Sequence, residues 1–151
     1  MADICAGERG LEPALNALRA LYLELEAEIA RHRPRCELSG NCCDFGSFGH
    51  ELFATGLEAL FTLRSQAVAV PVEASRCPYW VARRCTARAG RPLSCRVFFC
   101  DPAYQEAMQA IGERFHGRVK AIIVQHGLTY RYGRFVDLCR ELAAQPSQPL
   151  A

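Results

Sequence analysis

Seven cysteines fall in two short stretches of this chain: Cys36, Cys42 and Cys43, then Cys77, Cys85, Cys95 and Cys100. Core packing does not account for such density, because a buried cysteine behaves as one more small apolar group and gains nothing from neighbours of its own kind. Gathered thiolates are most useful for holding a metal ion or an iron–sulfur centre. The fold must then carry two irregular, turn-rich segments on a regular scaffold and let them converge.

The compartment decides how those sulfurs are read. The first nine residues carry an early acid, Asp3, and no apolar run, so no secretory signal is expected. No stretch reaches the roughly 18–20 apolar residues of a membrane helix; the run from Ala121 to Val124 is closed off by Lys120 and by Gln125-His126. The expectation is a cytoplasmic protein with no membrane partner, where thiols stay reduced. Nine cysteines is also an odd number, which full pairing cannot accommodate. Metal or cluster ligation therefore takes precedence over a disulfide framework or redox thiols. A formal charge of +2 gives no reason to expect nucleic acid.

The scaffold is expected to be mainly α with little β, as a single domain over residues 1–144 with a loose tail at 145–151. Over residues 11–32, Leu15, Leu18, Tyr22, Leu25 and Ile29 recur at three and four, the stripe of an amphipathic helix. Pro13 suits its first turn and Pro34 stops it. Such a stripe serves as a dimer seam or, more commonly, packs on its own core. A loop over 35–49 holds the first cysteines, and a second helix is expected over 50–64 with Leu57, Leu60 and Phe61 inward. Residues 67–72 read as a short extended run, with Pro71 at an edge or strand end. Residues 77–100 read as irregular, with a small hairpin and one helical turn.

Asp101-Pro102 announces the next helix, an N-cap acid followed by proline. Its stripe is Tyr104, Met108, Ile111, Phe115, Val119 and Ile122, with a break expected near Gly117. A last helix over 133–144 places Phe135, Leu138, Cys139 and Leu142 on one face. Cys139 there reads as a buried small hydrophobe, and Cys5 as idle in a frayed end.

In the first cluster, Gly40-Asn41 supplies the tight turn a chelating loop needs. Adjacent Cys42 and Cys43 do not easily ligate one ion, so one of them packs or the two serve different metals. In the second cluster the arginines matter, since four thiolates on one zinc leave a net charge of about −2. Arg91 and Arg96 are the preferred donors towards sulfur. Trp80, Phe98 and Phe99 flank cysteines and are expected to shield the centre. His50 is an auxiliary ligand candidate set against a structural helix-start histidine. His50-Glu51 opens no zinc-protease motif, because Ala54 stands where the second histidine would be.

The arrangement C-x-x-(C)-G-x-C-C, a following helix, C-P-Y-x-x-x-x-x-C and R-P-x-x-C-R-x-F-x-C resembles the zinc- or iron-chelating cysteine-cluster family (YkgJ-like), named for its C-x-x-C-x-x-C-C signature. The resemblance covers Cys36 to Cys100, nearly half the chain. It implies a bacterial-type cytoplasmic domain with eight cysteine positions that chelate zinc or iron, and it assigns no reaction. The family's second cysteine corresponds here to Ser39. Seven clustered sulfurs fall one short of two four-cysteine sites, leaving one four-cysteine centre with spare thiols, a dinuclear site with bridging sulfur, or an iron–sulfur cluster.

Cys36, Cys42, Cys77, Cys85, Cys95 and Cys100 are the expected ligands, with Cys43 the seventh. Three functions stay open: a zinc- or iron-binding protein, a structural zinc domain that binds a protein partner, and a metal- or cluster-dependent enzyme or redox carrier.

Overall fold

Apolar residues at helical spacing must bury against a second apolar face, and this chain supplies such faces chiefly as helices. The computed structural model describes residues 8–35, 51–67, 76–82 and 84–144. Over these the elements follow in the order α1 (Glu8–His32), β1 (Phe53–Thr55), α2 (Gly56–Ser65), β2 (Trp80–Val81), β3 (Arg84–Cys85), α3 (Leu93–Val97), α4 (Gln105–Gln125), β4 (Tyr132–Arg134) and α5 (Phe135–Ala144). Short 3-10 turns stand at Arg88–Gly90 and Pro102–Tyr104. The fold is mainly α, as expected. Most of the loop over 35–49, the extended run beyond residue 67 and the tail lie outside the described residues.

The chain divides into two compact units, each assembled from separated stretches: Met1–Glu37 with Leu93–Arg131, and Leu38–Pro92 with Tyr132–Ala151. In the first, the α1 stripe is buried at every expected position, from Leu15 to Ile29. The helix stops at His32 because Arg33 turns to φ 47°, the left-handed region in which helices end, and Pro34 cannot continue it. α4 lies antiparallel to α1: Arg118 pairs with Glu24 at 2.7 Å and Arg114 pairs with Glu28. At the far end His126 O comes so close to Gly10 that any Cβ there would collide with it.

The break expected at Gly117 does not occur. Open space surrounds this glycine, and its cost of about 1 kcal/mol is outweighed by burying Phe115 and Val119 on either side of it. The inward register also differs at the end, where Ile123 is buried and Ile122 only half-buried.

In the second unit, β1 and β4 form an antiparallel ribbon, pairing Phe53 with Arg134, Ala54 with Gly133 and Thr55 with Tyr132. This ribbon corrects two helix starts: the helix expected from residue 50 begins at Gly56, and that expected from 133 begins at Phe135. α2 opens on a capping box, in which Thr55 Oγ1 accepts from Glu58 N at 3.2 Å while Thr55 N and Oγ1 donate to Glu58 Oε2 at 2.8 and 2.9 Å. Glu58 is 1 % exposed, so its carboxylate depends on those donors. Thr55→Ala is expected to cost about 1–2 kcal/mol, read as a lowered urea midpoint at unchanged slope; an unmoved midpoint would contradict this account.

Candidate metal centre

Cys77, Pro78, Tyr79 and Trp80 form a β-turn, closed by Trp80 N donating to Cys77 O at 3.0 Å. Proline at the second position presets the turn's first dihedral. β2 and β3 then fold back as a hairpin, with Ala82 at φ 51° in the bend and Trp80 opposite Cys85. Both the N–H and the Oγ1 of Thr86 donate to Tyr79 O, at 2.8 and 2.9 Å. Tyr79 anchors this hairpin in the second unit. Its hydroxyl donates to Gln66 O at 2.7 Å, and its ring tilts against Phe135 at 6.4 Å.

Burial pushes the Tyr79 phenol well above its usual range, and Cys139, Cys77 and Cys85 add to the effect. The three thiols are not equivalent. Cys139 is 0 % exposed, and burial pushes its thiol up to about 12, so it stays neutral at pH 7, as its apolar helical face suggested. Cys77 is buried and Cys85 half-exposed on the hairpin.

In the first unit, α3 carries Cys95, and Cys100 follows it just before the 3-10 turn that leads into α4. Arg96 is buried and pairs with Glu26 at 3.1 Å, its guanidinium 3.9 Å from the Tyr22 ring centroid. These two contacts tie α3 to α1. Arg91 Nε donates to Arg88 O at 3.0 Å. Phe99 packs edge-on against Tyr104 at 5.6 Å, whose phenol is raised by burial and by the Glu26 carboxylate.

Asp101, the residue after Cys100, accepts from Ala103 N through Oδ1 at 3.1 Å and from Arg35 N through Oδ2 at 3.2 Å. Arg35 immediately precedes Cys36. Gln105 Nε2 donates to Phe99 O and to Asp101 O, both at 2.9 Å.

Cys77 and Cys85 thus share one unit, and Cys95 and Cys100 share the other. Cys5, Cys36, Ser39, Cys42, Cys43 and His50 lie outside the described residues. Among the described residues no three His, Cys, Asp or Glu side chains form a metal-holding group, and no two cysteines are joined in a disulfide. Of the expected shields, Trp80 is half-buried, Phe99 packs on Tyr104, and Phe98 stands exposed at 44 %. Sequence reasoning missed Gln105, Tyr79 and the second role of Asp101. The C-P-Y turn was a usable signal for Tyr79, whereas Gln105 and the reach of Asp101 to Arg35 have no local signature. The chain matches no family model, no curated protein and no solved structure.

Proposed function

We propose that this is a cytoplasmic metal-binding protein that chelates zinc or iron, the iron as an ion or as an iron–sulfur cluster, through Cys36, Cys42, Cys43, Cys77, Cys85, Cys95 and Cys100. One observation carries the reading. The hydrogen bond from Arg35 N to Asp101 spans 66 residues and joins the residue before the first cysteine cluster to the residue after the second. It holds the backbone next to Cys36 beside the residue next to Cys100, both within the first unit. The donor set suits the metals named, since thiolate sulfur is the preferred partner of zinc and of iron in clusters. When bound, zinc would brace the irregular segments or act as a Lewis acid, and a cluster would carry electrons. The chain's own part is to hold the sulfurs, while Cys139 stays a buried neutral thiol.

A second reading, a structural zinc domain that binds a protein partner, draws on the ribbon of the second unit. Phe53 and Tyr132 stack there at 5.8 Å and 19° while 38 % and 49 % exposed, and aromatic rings left in water are common anchors of protein interfaces.

Anaerobic purification with metal analysis and an absorption spectrum on the same sample tests the proposal. Coloured protein containing iron and acid-labile sulfide supports a cluster, and colourless protein with stoichiometric zinc supports a structural or Lewis-acid site. Protein that holds only traces of either metal, although fully reduced and folded, overturns the proposal.

A further inference from the structure

The backbone around Cys100 is held from both sides by a single side chain. Gln105 Nε2 reaches the carbonyls of Phe99 and Asp101, the residues that flank the cysteine. Those two bonds anchor the carbonyl before Cys100 and the carbonyl of the residue after it, so the four soft dihedrals of Cys100 and Asp101 between them can change only in concert. Asp101 divides its carboxylate between two tasks: one oxygen caps the turn into α4, and the other takes the N–H of Arg35. Gln105 is exposed, so burial gives no reason for its identity. Nor does α4 need a glutamine at its first residue, where many side chains serve.

We infer that Gln105 and Asp101 are positioning residues: Gln105 sets the orientation of Cys100, and Asp101 ties that cysteine to the start of the first cysteine segment. The inference rests on the metal-binding reading above. Neither side chain is a ligand. Their action is that of outer-shell partners, whose loss typically weakens metal binding by about 10–100-fold.

Two substitutions separate positioning from simple structural support. Gln105→Glu keeps the size, removes both donors and sets a carboxylate against two carbonyl oxygens. An acid in the first turn of a helix is favoured by the helix dipole, which offsets the lost bonds and keeps the melting temperature near the parent's, whereas a purely structural role of those bonds predicts a lowered one. Asp101→Asn retains the cap, since asparagine and aspartate cap about equally well, and weakens the acceptor that faces Arg35.

The experiment loads the full chain and both variants with Co(II), then records the thiolate-to-cobalt absorption, release to excess EDTA and a thermal melt on the same samples. The expected result is release about tenfold faster in each variant, with a shifted absorption band and a melting temperature close to that of the parent. Parental release rates and spectra in both variants overturn the positioning role, as does faster release that merely tracks a lowered melting temperature. A parent chain showing no thiolate–cobalt absorption fails at the metal-binding reading itself, and takes this inference with it; that failure is read in the parent alone.

Discussion

Tyr79→Ala is expected to lower stability by about 3–5 kcal/mol, the range for truncating a fully buried aromatic. Tyr79 is 1 % exposed and holds the Cys77–Cys85 hairpin through its ring, its hydroxyl and its carbonyl, so truncation leaves a cavity and frees the turn together. Tyr79→Phe isolates the hydroxyl. It removes the 2.7 Å bond to Gln66 O and should cost only about 1 kcal/mol, because Gln66 is exposed and its carbonyl can turn to water. Urea unfolding, with the loss of tyrosine and tryptophan fluorescence as the signal, reads both variants. A Tyr79→Ala protein within 1 kcal/mol of the parent would show that the hairpin is held by something else.

Cys85→Ala and Cys95→Ala are each expected to lose bound metal and most soluble yield, while Cys139→Ala keeps the parental metal content. The two ligand variants lie in different units, so they test the assignment independently. Metal binding is folding free energy for loops that lack a core, on the order of 10 kcal/mol for structural zinc, which is why yield should fall along with metal. Cys139 serves as the control because burial keeps its thiol protonated. Parental stoichiometry in both Cys85→Ala and Cys95→Ala would sink the ligand assignment. Loss in one alone would confine the metal to the unit that carries that residue.

The two long helices were legible because three-and-four spacing is a local pattern: Leu15 to Ile29 in α1, and Ile111, Phe115 and Val119 in α4, are buried as their spacing required. The ribbon was not. Phe53-Ala54-Thr55 and Tyr132-Gly133-Arg134 are too short to show alternation, and each becomes a strand only through a partner far along the chain. Thr55-x-x-Glu58 is a local signal for the helix start, since a capping box there favours a helix that begins after residue 55. The candidate site divides in the same way. The cysteines, Pro78 and the cap at Asp101 could be read from neighbours in sequence, but the hold of Gln105 on two carbonyls and the bond from Arg35 to Asp101 are products of the folded chain.

Interleaving two units along one chain has a consequence for how the protein is made. Translation runs from the N-terminus, so α1 leaves the ribosome with its apolar stripe uncovered while α4 lies some 75–100 residues behind it. β1 likewise waits about 80 residues for β4, several seconds at ordinary elongation rates. The first unit can close only once residue 131 has been made and the second only after β4 and α5 follow, so for much of its synthesis the nascent chain exposes both apolar faces together. A cell that produces this protein must keep that half-finished chain from aggregating until α4 and β4 arrive.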